Sequence, residues 1–173
     1  MRKIYLLLFM LFIPIVGCSE DIEFIQNEIE NLKLEDTARC EDFTLKHKDD
    51  NHNSVVNFYI TPNGFDMDKL EKRGYYMEIK VTYYVYYKKD YDVLWDIGYK
   101  GAPKYDVVIK NTDNYGNQES NLSTTTSLTS RSISIIASIA DIKNQRWILS
   151  FSTNNTQNIM YFSNIRISYK CYK

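Results

Sequence analysis

The groups able to do chemistry are few. His47 and His52 stand five residues apart in Lys46-His47-Lys48-Asp49-Asp50-Asn51-His52, where imidazole and carboxylate together form a metal-ligating combination. The spacing matches no recognised zinc motif and the neighbouring lysines repel a cation, so the stretch reads as a solvated loop and no metal is assigned. Asp113, Asn114, Asn117 and Glu119 offer oxygen ligands in one segment, but without the glycine and closing glutamate of an EF-hand loop. Calcium near Asp113 is therefore left open. Carboxylate pairs such as Asp66 with Asp68 and Asp90 with Asp92 carry no signal beyond being two acids close together. The sequence holds no Gly-x-Ser-x-Gly elbow and no phosphate-cradling glycine loop. The expectation is a protein that is not an enzyme, with no catalytic residue and no cofactor.

Tyrosine is the unusual component, 15 of 173 residues against only six glycines. In 75–87 the apolar positions Met77, Ile79, Val81, Tyr83, Val85 and Tyr87 alternate with Glu78, Lys80, Thr82, Tyr84 and Tyr86. Tyr76, Tyr84 and Tyr86 are thereby displayed beside Lys80 on the polar face of one long strand. Rings with hydroxyl handles beside charged groups suit a sugar or a protein partner. Cross-strand packing among the tyrosines, or cover by the N-terminal segment, is the competing account of the same residues. Residues 88–92 and 98–105 are a second location for a binding rim. Lysine plus arginine at 21 against aspartate plus glutamate at 22 leaves no cationic surplus for a phosphate backbone, so no nucleic-acid partner is expected.

Such a face needs a sheet behind it. Runs rich in β-branched and aromatic residues occur at 43–46, 55–60, 75–87, 93–99, 105–110, 132–138, 147–152 and 159–169, separated by turn-forming segments such as Pro62-Asn63-Gly64. A single helical turn is predicted over 66–72, capped by Asp66 and stopped by Gly74. About eight strands with almost no helix between them predict an all-β protein, an antiparallel two-sheet sandwich of jelly-roll or immunoglobulin-like topology. Parity assigns the core to Val56, Phe58, Ile60, Met77, Ile79, Val81, Val93, Trp95, Ile97, Ile133, Ile135, Ala137, Trp147, Leu149, Phe151, Ile165 and Ile167. Cys171 shares the inward parity of Ile165 and Ile167.

The first 17 residues carry Arg2 and Lys3, then an apolar run from Ile4 to Val16 that is too short to span a bilayer as a helix. This is the pattern of a secretory signal. It ends Ile15-Val16-Gly17-Cys18, which resembles the lipobox of bacterial lipoproteins. The resemblance implies cleavage before Cys18, acylation of that residue with diacylglycerol and palmitate-type chains, and export to the outside of the cell membrane or to the outer membrane. The mature chain, without Arg2 and Lys3, keeps 19 cations against 22 anions.

With Cys18 carrying lipid, Cys40 and Cys171 remain as a pair in a compartment where disulfides persist, and a bridge between the first and last strands is expected. Closing so long a loop would stabilise by roughly 4–5 kcal/mol. Residues 18–39 are acidic, with Ile22, Ile25, Ile29 and Leu32 at helical spacing, and read as a lipidated tether, short and helical or flexible. The expected organisation is a signal at 1–17, the tether at 18–39 and the sandwich at 40–173.

Met160-Tyr161-Phe162-Ser163-Asn164-Ile165-Arg166-Ile167 resembles, over these few residues, the closing strand of galactose-binding-like jelly rolls. The functional expectation is a membrane-anchored extracytoplasmic module that binds a glycan or an envelope protein. The alternative is a structural subunit of an envelope assembly or secretion machine. Replacing Cys18 by Ser should abolish incorporation of labelled fatty acid and move the protein out of the membrane fraction; label and membrane residence unchanged from wild type would refute lipidation.

Overall fold

The computed structural model describes residues 32–46, 53–89, 102–155 and 158–173, and the fold is that of Leu34–Lys173. In chain order the elements are β1 (Glu35–Arg39), β2 (Phe43–Leu45), β3 (Val55–Ile60), α1 (Met67–Lys72), β4 (Tyr76–Lys89), β5 (Lys104–Lys110), β6 (Gly116–Ser123), β7 (Thr129–Ser138), α2 (Ile139–Asn144), β8 (Trp147–Ser152) and β9 (Asn158–Tyr172). One sheet runs β1-β9-β4-β7, with β2 also paired to β9; the other runs β3-β8-β5-β6. The strand pairings within both sheets are antiparallel. The protein is a two-sheet all-β sandwich, as the period-two pattern requires.

The core forms where the inner faces of the two sheets meet. Met77, Ile79, Val81, Tyr83 and Val85 of β4 are buried, as are Tyr105, Val107 and Ile109 of β5 and Trp147, Leu149 and Phe151 of β8. Aromatic rings from both sheets interlock at one end: Phe43 stacks on Phe162 at 4.8 Å, while Tyr83 meets Phe151 edge-on at 5.2 Å and Tyr105 meets Phe162 edge-on at 5.1 Å. Edge-to-face packing of this kind adds about 0.5–1.5 kcal/mol per pair beyond the area buried. The phenol oxygens of Tyr83 and Tyr105 lie 3.1 Å apart, so each hydroxyl has a partner inside the core. Burial raises both tyrosines above the ordinary phenol range.

β9 contains a feature that parity alone misses. Its buried residues Met160 and Phe162 are followed by Ile165 and Ile167, a step of three where alternation demands two. Asn164 supplies the extra residue: it sits at φ 51°, and the β4–β9 register shifts by one between Thr82 and Tyr84. This is a β-bulge with asparagine in the left-handed region, a conformation asparagine tolerates better than most residues. Asp42 Oδ1 accepts from the Asn164 N–H at 2.9 Å, and Asn164 Oδ1 accepts from Arg166 Nε at 3.1 Å.

Both helices of the described residues are short and capped. Asp66 accepts from Lys69 N at 3.1 Å, and Gly74 at φ 73° ends the turn, as predicted. The second helix, α2, is unanticipated; Ser138 caps it by accepting from Asp141 N at 3.1 Å. Lys143 of α2 bonds Asp68 and Glu71 of α1.

Three expectations need correction. The folded domain begins before Cys40, because Glu35–Arg39, placed in the tether, is a strand paired residue by residue with β9. β6 was unrecognised because it is an edge strand of polar residues in which only Glu119 and Leu122 are partly covered. Finally, Cys40 and Cys171 are separate thiols. Cys171 is buried as parity required, and its N–H donates to Leu34 O at 2.8 Å, whereas Cys40 donates to Ile165 O at 2.9 Å. Six residues of β9 separate those two anchoring points, about 20 Å along the strand. A disulfide needs Cα atoms within about 7 Å, so the antiparallel register of β1 rules the bridge out. Of the predicted strands, 93–99 lies outside the described residues.

The bulge yields a direct test. Asn164→Gly should change stability by less than about 1 kcal/mol, whereas Asn164→Val, β-branched at positive φ, should cost about 1–3 kcal/mol in urea melts. Equal effects of the two substitutions would remove backbone conformation as the reason for the asparagine.

Candidate functional site

The outer face of the five-stranded sheet presents β4 in rows with its neighbours. Tyr76 faces Tyr172 and Ser138; Glu78 faces Lys170 and Ile136; Lys80 faces Ser168 and Ser134; Tyr84 faces Ser163 and Ser130; Tyr86 faces Tyr161. The proposed face residues Tyr76, Lys80, Tyr84 and Tyr86 thus share one surface, in two groups. From Tyr76 to Tyr84 is about 27 Å along the strand, so one small ligand cannot touch both.

The groups differ in character. Tyr86 stacks on Tyr161 at 5.0 Å with the rings 12° from parallel, and Lys88 Nζ lies 5.0 Å from the Tyr161 ring centre. That packing occupies one face of the Tyr86 ring, and Tyr84 and Tyr86 are half-buried. At the other end Tyr76, Tyr172 and Ile136 are exposed. There Tyr172 Oη donates to Glu78 Oε2 at 2.7 Å, which raises the Tyr172 phenol, and Lys170 pairs with Glu35 at 3.1 Å.

A second arrangement lies on the other sheet. Where β3 ends and α2 runs into β8, an open cleft of about 510 Å³ is lined by Tyr59, Thr61, Pro62, Lys143, Gln145 and Arg146, with Trp147 at its base. The pairing of Ile60 with Trp147 and of Tyr59 with Ile148 brings these distant segments together. Tyr59 points outward by strand parity and is 67% exposed, the highest value among the large apolar and aromatic side chains left exposed. The Arg146 guanidinium lies 5.4 Å from its ring centre. Trp147 is buried; its indole N–H donates to Asp141 O at 3.2 Å, and its ring meets Tyr115 edge-on at 6.2 Å.

The β5–β6 turn braces the cleft. Gln145 Nε2 donates to Asp113 Oδ2 at 2.7 Å, and Gln145 Oε1 accepts from Thr112 Oγ1. Asn111 Oδ1 accepts from the N–H groups of Asp113 and Tyr115 and so organises the turn. The oxygens considered for calcium are engaged elsewhere or diverge: Asn114 Oδ1 accepts from Lys110, and the Asn117 side-chain amide donates to Ser134 O on the other sheet. Among the described residues no three His, Cys, Asp or Glu side chains gather as a metal site.

Charge within the cleft is unevenly spent. Lys143 is paired with Asp68 and Glu71, which raise its pKa through hydrogen bonds and charge. Arg146 has no carboxylate within ion-pair distance among the described residues. His47, His52, Cys18, Asp90, Asp92 and most of the alternative rim lie outside the described residues.

No protein-family model matches the sequence, and no curated protein is similar to it. Among solved structures the chain is similar to TmCBM61 in complex with beta-1,4-galactotriose, at 12% identity and a TM-score of 0.30 over 84% of this chain and 92% of that one.

Sequence reasoning missed the cleft. Parity already turned Tyr59 outward, opposite in face to Val56, Phe58 and Ile60; its meeting with Arg146 depends on the β3–β8 pairing, which no local pattern reveals. For the sheet face, the stacked geometry makes a quantitative prediction. A double-mutant cycle on Tyr86→Ala and Tyr161→Ala should return a coupling of about 0.5–1.5 kcal/mol in denaturant melts. Coupling indistinguishable from zero would free both rings for a ligand.

Proposed function

We propose that this chain is an exported, lipid-anchored binding module whose β-sandwich takes a glycan in the cleft at Tyr59. The observation that carries the reading is the exposed Tyr59 ring in a concave site beside Arg146 and Gln145. A sugar offers an apolar face for an aromatic ring and hydroxyls for planar, multiply hydrogen-bonding side chains, and this cleft sets the two kinds of group together. Bracing by the β5–β6 turn and by Trp147 reduces the ordering cost of binding, because Gln145 is held before a ligand arrives. Anchoring through Cys18 would place the cleft outside the membrane, where glycans are encountered.

A protein partner on the sheet face is the second reading. It is favoured by Tyr76, Ile136 and Tyr172, three large side chains exposed side by side on a flat surface with Glu78 and Lys170 among them. In that case the chain is a subunit of an envelope assembly and the cleft is incidental.

The mature protein, purified in detergent, should be retained by immobilised glycans. Tyr59→Ala should weaken retention by about 2 kcal/mol, roughly 30-fold, while shifting stability by less than about 0.5 kcal/mol. Tyr76→Ala, Tyr84→Ala and Tyr86→Ala should leave retention intact. Loss of retention in the β4 variants with Tyr59→Ala unaffected would move the site to the sheet face; no retention, with a protein recovered through the Tyr76 face, would replace the glycan reading with the second one.

A further inference from the structure

Resting on the glycan reading of the Tyr59 cleft, we infer that the sugar it takes carries an anionic substituent, read by Arg146. The lining brings two cations, Lys143 and Arg146, and no carboxylate. Only one of the two charges is available. Lys143 is committed to Asp68 and Glu71, which tie α2 to α1, so it serves the scaffold. Arg146 has no such partner among the described residues; its guanidinium rests against the Tyr59 ring at 5.4 Å.

An arginine in that state has its unsatisfied capacity directed at solvent. The cation–π contact with the ring uses none of the guanidinium N–H donors, which can therefore meet the two oxygens of a carboxylate or sulfate in a bidentate contact. The ring also restricts the arginine before binding, so less side-chain entropy is lost than for a free surface arginine. Gln145 is neutral, and its amide is held by Asp113 and Thr112, so it offers Arg146 no counter-charge. Asp113, an acid tied to the cleft wall, is itself occupied in bonding Gln145. A neutral sugar would leave the Arg146 charge facing a hydroxyl; an acidic sugar pairs it.

Carboxylate and sulfate share this chemistry, and the test separates them. Retention of the mature protein in detergent is measured on oligogalacturonate, on sulfated galacto-oligosaccharide and on the neutral, carboxyl-reduced oligogalacturonate, at low and high salt. The wild type should prefer at least one anionic probe over the neutral one by on the order of 10- to 100-fold, less at high salt. Arg146→Gln should bring that preference close to one while keeping weak binding to the neutral probe, with an unchanged melting temperature. Arg146→Lys should recover part of the preference, since it keeps the charge and loses the fork. Tyr59→Ala should weaken binding to all three probes. Equal wild-type binding to neutral and anionic probes, still lost in Tyr59→Ala, overturns the anionic assignment and leaves the glycan reading standing. A preference that survives Arg146→Gln overturns the role of Arg146. No retention on any probe overturns the glycan reading and this inference together.

Discussion

The pairing of β4 with β9 is the constraint on which the rest of the sandwich depends. These are the two longest strands, 14 and 15 residues, and they lie side by side at the centre of the five-stranded sheet. Because side chains alternate with a period of two, a slip of one residue would exchange the whole inner face for the outer one. The bulge at Asn164 absorbs one residue so that Met160 and Phe162 on one side of it, and Ile165 and Ile167 on the other, all turn inward. Without it, half of β9 would present Ser163 and Tyr161 to the core. The aromatic cluster of Phe43, Phe151, Phe162, Tyr83 and Tyr105 lies on the Phe162 side of that correction, so the packing of the second sheet inherits it.

The cleft depends on the same inner face through Trp147. That residue begins β8, is buried in the core and bonds Asp141 O of α2, so the loop carrying Gln145 and Arg146 is held between a helix end and the core. The side chains that face solvent there are short steps from rigid structure, which would lower the ordering cost of the proposed binding. The two sheets are also stitched along one side, where Tyr115 and Asn117 near the β5–β6 turn donate to Ile136 O and Ser134 O of β7. Those bonds cover carbonyl groups on an edge strand that would otherwise be open to pairing with another chain.

What the sequence disclosed divides along physical lines. Strands with one buried face, such as Val55–Ile60, Trp147–Ser152 and the long β4, declare themselves by alternation, and their core residues follow from parity. Strands lacking that asymmetry stay hidden: β6 is polar on both faces, and β1 is exposed along most of its length. The failed disulfide is instructive, because its premise about Cys171 was sound. Inward parity gives the direction of a side chain and says nothing about which residue of a neighbouring strand stands opposite, and in an antiparallel pair the end of β1 meets the middle of β9. Register is a property of two segments at once. The cleft was hidden for the same reason, since Tyr59 and Arg146 belong to segments separated by most of the domain.

The abundance of tyrosine also gains a physical account, with three kinds of environment using one side chain. Tyr83, Tyr105 and Tyr169 are core residues; for Tyr169, burial pushes the phenol up to about 12, and the Tyr83–Tyr105 pair satisfies its hydroxyls internally. Tyr86 and Tyr161 spend ring area on each other and so cover the outer sheet face without leaving it apolar. Tyr59, Tyr76, Tyr115 and Tyr172 keep substantial surface in water. Phenylalanine would serve the first group at the cost of a polar handle and would make the second and third groups aggregation-prone on an exposed sheet. A residue that packs like an aromatic and solvates like an alcohol lets a sandwich with few glycines cover both faces of its sheets with rings. Of the four left in water, Tyr59 alone both lines the cleft and has a cation resting against it, a pairing of apolar ring and charge that the tyrosines of β4 do not offer in a concave setting.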